Sequence, residues 1–139
     1  KDSLFLKHTG GSFGSLGYYA VDTKDIPDEQ IYSWLVECGA WLSMVDEGDP
    51  VTDMNAAMAL AIRQGVFDGD ALYWSKARGA WCVGYPVYGG SMDPLSIAKT
   101  PQRAICLFVL RYPEIDRLVN DQRLPYAGWA QRYSEDNLT

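Results

Sequence analysis

The chain has one imidazole, His8, and three thiols, Cys38, Cys82 and Cys106. A nucleophile of the serine or cysteine type needs a base beside it. His8 sits in a glycine-rich stretch, His8 to Gly17, and the G-x-S-x-G letters within it, Gly10 to Gly14, do not form the strand-to-helix elbow that a nucleophile needs. A single histidine leaves no His-built metal centre, and no C-x-x-C is present for zinc or thiol exchange. Three cysteines, an odd number, make no disulfide framework. Each lies within an apolar pattern, so each reads as a small buried hydrophobe in a reducing compartment. The expectation is no catalytic residue, no metal and no cofactor.

Two further groupings invite chemistry and resist it. Gly11-x-x-Gly14-x-x-Gly17 matches neither a Walker A loop nor the dinucleotide fingerprint, so it reads as a turn. Asp46, Glu47, Asp49 and Asp53 cluster, but Pro50 and Val51 break the alternation that a calcium loop requires. Those carboxylates suit helix ends and solvent, and they form a negative patch open to a basic partner.

The aromatics are the stronger signal. Tyr73, Trp74, Trp81, Tyr85 and Tyr88 crowd one region, and the loop Gly84 to Pro94 sets rigid rings between glycines. Large rings that face water are enriched at recognition surfaces. Tyr85, Tyr88 and Asp93, with Asp46, Glu47 and Asp49, are therefore the expected partner-binding residues. In an alternative reading Trp74 and Trp81 stack a nucleotide base, while Arg78 and Arg103, helped by Lys99, hold phosphate.

Charge sharpens the choice of partner. The 139 residues carry a net charge of −6, 47% are hydrophobic, and the length fits one domain. Residues 1–70 hold 12 acids and 4 bases, whereas residues 71–139 hold 6 acids and 8 bases. Phosphate backbones are repelled by such an acidic half, which disfavours direct nucleic-acid binding. A basic protein surface is favoured instead. No run of 18 apolar residues provides a membrane span, and no signal-peptide pattern opens the chain. The expected compartment is the cytoplasm.

These residues need elements to hold them. Leu16 to Val21 reads as a short strand. Pro27 suits a first helical position, with Asp28 and Glu29 in the first turn. Ile31, Trp34, Leu35, Cys38, Trp41, Leu42 and Val45 share one helical face, so the helix is expected to run to Gly48. Thr52 reads as the N-cap of a second helix, buried through Met54, Ala57, Met58, Ala61 and Ile62 and stopped by Gly65. Residues 71–76 and 80–85 form a hairpin around Ala77-Arg78-Gly79. Leu95 to Lys99 is a third strand. Thr100-Pro101 starts a helix buried through Ala104, Ile105, Phe108, Val109 and Tyr112, which Pro113 ends or kinks. Ile115, Leu118 and Val119 mark a further short helix, followed by an amphipathic tail.

Two resemblances follow from these residues. Phe13 to Ala20 after His8 resembles the histidine and aromatic pair of ADP-ribosyltransferases, although His8 stands too close to Tyr18-Tyr19 and no later Glu completes the motif. More of the chain, residues 31–112, resembles small phage and prophage proteins of the ABA-sandwich type. The likeness rests on Ile31-Tyr32-Ser33-Trp34-Leu35-Val36, Thr52-Asp53-Met54-Asn55, the strand with Trp81, and Thr100-Pro101-Gln102-Arg103-Ala104. It implies a phage origin and a helix-sheet-helix sandwich, and it transfers no catalytic residue.

The expected fold is α+β: one domain over residues 1–139, with a Gly-rich segment 1–25 and a short helical tail 114–133. An antiparallel sheet of about three strands, including the hairpin, is covered by three to four helices. The expected function is that of a non-enzymatic phage accessory protein that binds and inhibits a host or anti-phage defence protein. Sequestering a nucleotide signal is the alternative from another class, and an enzyme of unrecognised type is a third. A homodimer is compatible, since surplus rings can be buried across a two-fold axis.

Overall fold

A computed structural model describes residues 6–10, 16–21, 26–86 and 92–120. It contains β1 (Leu6–Gly10), β2 (Leu16–Val21), α1 (Asp28–Glu37), α2 (Met54–Arg63), a 3-10 turn (Val66–Asp68), β3 (Ala71–Ser75), β4 (Ala80–Pro86), β5 (Met92–Ala98) and α3 (Pro101–Asn120). The strands form one sheet in the order β1-β2-β5-β4-β3. The α+β class holds, with three α-helices and an antiparallel β3-β4-β5 unit. The sheet is larger than three strands because the Gly-rich start supplies β1 and β2, an antiparallel pair that joins β5 in parallel.

The layers are set by α3. Residues 104–110 are all apolar and all buried, so this helix has no wet side between residues 103 and 111. A helix apolar all round must be enclosed. One side of α3 packs across β2, β5, β4 and β3, and α1 and α2 pack on the helix itself. The layers therefore run sheet, α3, then α1 with α2, and helical cover is one-sided among the described elements. Cys106, Leu107 and Leu110 join the core, which a single-stripe reading of this helix leaves out.

The start of α3 is as expected. Thr100 Oγ1 accepts from the Arg103 N–H at 3.2 Å, with Pro101 at the first helical position. Pro113 does not end it. The helix continues to Asn120 and absorbs the segment expected as a separate helix. Residues 121–133 of the expected tail lie outside the described residues.

The first helix is ten residues long and stops at Glu37, not at Gly48. Pro27 stands one place outside it as the N-cap. Gly39 has φ +81°, the left-handed conformation that a helix stop favours in glycine. The Ala40 N–H donates to Leu35 C=O at 2.9 Å and the Gly39 N–H to Val36 C=O at 3.0 Å. That pair of bonds is the Schellman closure. Two consequences follow at once. Leu42 and Val45 leave the expected stripe and become exposed, and Cys38 at the helix end is exposed as well.

The second helix starts one residue later than expected. Asp53, not Thr52, is the cap: its Oδ1 accepts from the Asn55 N–H at 3.1 Å. Gly65 ends it with φ +68°. Ala56, Ala57, Leu60 and Ala61 face the core, and small residues there let α2 approach α3 closely. Ile62 points out instead. The β3-β4 turn spans Lys76 to Gly79, one residue longer than expected, so Lys76 leaves the strand.

Candidate functional site

The segment between α1 and α2, residues 38–53, is held at many points. The Trp41 ring is buried, and its Nε1–H donates to Gly48 C=O at 3.2 Å. Asp46 Oδ2 accepts from the Leu42 N–H at 2.7 Å, and Asp46 Oδ1 from Arg63 Nη1 at 2.8 Å. Arg63 Nη2 also donates to Ala40 C=O at 2.6 Å, while its guanidinium carbon lies 5.3 Å from the centre of the Trp41 ring. Asp49 Oδ1 accepts from the Val51 N–H at 2.9 Å. On the inner side, Cys106 Sγ donates to Pro50 C=O and Gln102 Nε2 to Thr52 C=O, which ties the segment to α3.

The electrostatics follow from these bonds. The Arg63 hydrogen bond, then the Leu42 N–H, hold the Asp46 carboxyl below its ordinary range. The same bond raises the Arg63 guanidinium further. Burial pushes the Cys38, Cys82 and Cys106 thiols up, so none is primed as a thiolate. Among the described residues no three His, Cys, Asp or Glu side chains are placed to hold a metal.

What this fixed segment displays is apolar. Met44 is 95% exposed, Val45 74% and Leu42 51%, and Ile62, the neighbour of Arg63, is 71% exposed. Each large side chain left in water forgoes roughly 1.5–3 kcal/mol of burial. A tethered loop that holds several out together is the kind of surface that another molecule covers. Residues 26–70, which include this surface, carry nine carboxylates against one cation, Arg63.

The residues expected at a binding surface divide between two parts of the fold. Asp46, Glu47 and Asp49 belong to the outer helical layer, with Glu47 exposed and the other two half-buried in their bonds. Tyr85 and Asp93 face each other in the β4-β5 register, with α3 between that sheet and the outer layer. Tyr85 is half-buried against the core, so it is a packing ring more than an anchor. Tyr88 lies outside the described residues.

The nucleotide-stacking set also divides. Trp74 and Trp81 oppose each other in register, edge to face, with ring centroids 5.6 Å apart. Trp81 packs on the core, and Trp74 is half-exposed. Arg78 is in the exposed turn beyond them. Arg103 is not available to phosphate: it is buried, donating Nη1 to Asp28 Oδ1 and Nη2 to Ile26 C=O. Its position near a helix start suggested an anion site, yet the N-terminus of α1 had already claimed it.

Sequence reasoning missed Met44 and Arg63, and it buried Leu42, Val45 and Ile62. The signal lay in Gly39. Placed as a helix stop, it takes the following apolar residues off the helical stripe.

No protein-family model matches this chain, and neither the curated proteins nor the solved structures contain a match to it.

Proposed function

We propose that this protein works by contact, without chemistry of its own, and that its contact surface is the tethered loop Leu42–Asp49 with Ile62 beside Arg63. The partner is a protein that offers apolar side chains framed by Lys or Arg. The observation that carries this reading is the outward display of Met44 and Val45 on a segment otherwise held by Trp41, Asp46 and Arg63. The flanking Asp46, Glu47 and Asp49 would steer a basic surface into place and fix its register. The phage resemblance sets that partner among host or anti-phage defence proteins, which the contact would inhibit.

A titration with a Lys/Leu amphipathic peptide, followed by amide chemical shifts, tests the surface. Shifts are expected at residues 42–49 and at Ile62, with affinity falling as salt rises. Met44→Asp and Val45→Asp should abolish them while leaving stability within about 0.5 kcal/mol. Equal response to a Glu/Leu peptide, or shifts centred elsewhere, would remove the proposal.

A further inference from the structure

The edge of the sheet carries a second surface. Among the described strands β3 is an edge of the sheet. Natural edges are blunted by charges, prolines or bulges, because an open ladder of backbone groups pairs with any strand that reaches it. The strand β3, Ala71-Leu72-Tyr73-Trp74-Ser75, has no charge and no proline, and its pairing with β4 is regular throughout. The other edge, β1, contains Lys7, His8 and Gly10. Only one of the two edges lacks such protection.

We infer that β3 pairs antiparallel with β3 of a second copy of this chain about a two-fold axis at Tyr73, making one continuous sheet. The sequence of the edge is complementary to itself in that register. Leu72 stands opposite the second copy's Trp74, and Trp74 opposite its Leu72. Aromatic and aliphatic cross-strand pairs of this kind favour pairing. Ala71 meets Ser75. Beyond the strand, Asp70 comes opposite Lys76 at both ends, so each end matches one carboxylate with one ammonium. A parallel arrangement or a slip by two residues breaks this match. Trp74, 51% exposed and resting edge-on against Trp81, gains its missing cover from the second copy's Leu72. The contact is isologous and closes on itself, which gives a dimer and not a fibre.

Sedimentation equilibrium over a wide concentration range, with the full chain, tests this. A mass moving from the 15.5 kDa of one chain toward twice that value is expected as concentration rises. Lys76→Glu replaces two attractions by two repulsions and should weaken the dimer about 10-fold. The exchange Asp70→Lys with Lys76→Glu restores opposite charges and should recover most of that loss. Lys76 is exposed in a turn, so circular dichroism should report an unchanged fold. A single-chain mass at every soluble concentration overturns the inference. So does a dimer that Lys76→Glu leaves unchanged, or one that the double exchange fails to recover.

Discussion

Arg63 Nη1 lies 2.8 Å from Asp46 Oδ1, joining the last turn of α2 to the loop that leaves α1. The same guanidinium reaches Ala40 C=O and covers Trp41. One side chain therefore fixes the shape of the segment that carries Leu42, Met44 and Val45.

This pair has a pH signature. The Asp46 carboxyl is held below its ordinary value of 3.8, chiefly by the Arg63 hydrogen bond. A depressed carboxylate contributes stability above its unfolded value and loses it as pH falls through the folded one. In urea denaturation the difference between wild type and Asp46→Asn should be full well above pH 3.8, shrink as pH falls past that value and vanish only below the lower folded value. A difference that persists unchanged in acid would contradict the assignment.

Arg103 and Asp28 should respond unequally. Arg103 is buried, whereas Asp28 is 48% exposed. Arg103→Ala removes a buried stem and bonds to two partners, at a cost of about 3 kcal/mol. Asp28→Ala removes a water-screened carboxylate and should cost about 1 kcal/mol. Equal losses in denaturation would show that the pair, and not the burial of Arg103, dominates.

Thiol labelling should separate the cysteines. Cys38 is exposed, while Cys82 and Cys106 are buried. The native chain should take up one equivalent of an aromatic disulfide reagent, and the unfolded chain three. Because the Cys38 sulfur is partly covered where it donates to Leu35 C=O, its thiol is raised above the ordinary 9.0, so labelling should be slow at neutral pH and quicken as pH rises past that value. Native labelling of more than one thiol would refute the burial described for the other two.

Two glycines with similar backbone angles should differ in cost. Gly39 has φ +81° and Gly48 has φ +85°. A methyl group at Gly39 would meet open space, so Gly39→Ala should cost only the left-handed strain, about 1–2 kcal/mol. At Gly48 the added carbon would stand 2.9 Å from Asp53 Oδ2, the residue that caps α2. Gly48→Ala should therefore cost about 1 kcal/mol more, the typical worth of an N-cap. Thermal unfolding of the two variants side by side measures the difference.

The elements that local rules govern were legible in the sequence. Thr100-Pro101 announced a helix and delivered one, and the β3-β4 hairpin appeared within a residue of its expected turn. Periodicity misled where a stop signal lay inside the pattern. Leu42 and Val45, three and six residues past Gly39, fit the stripe by spacing alone, but a left-handed glycine closed the helix before they could join it. Periodicity also failed for α3, where a stripe of five apolar residues was expected on a helix that is buried all round from residue 103 to residue 111. A residue cannot announce from its spacing how many layers will cover it. The binding candidates fared similarly. Asp46, Glu47 and Asp49 could be named from their clustering, whereas the exposed Met44 and the tether from Arg63 depended on tertiary contacts that no local pattern encodes.

The parallel pairing of β2 with β5 bears on how the chain reaches this state. Ala20 lies beside Ser96, and Val21 beside Ile97. Everything from α1 to β4 is threaded between those partners, so the first hairpin can dock only after most of the polypeptide has been ordered. Such distant pairings slow folding, because the entropy of closing a long loop is lost before the contact forms. The β1-β2 hairpin should thus be among the last parts of this sheet to find its place.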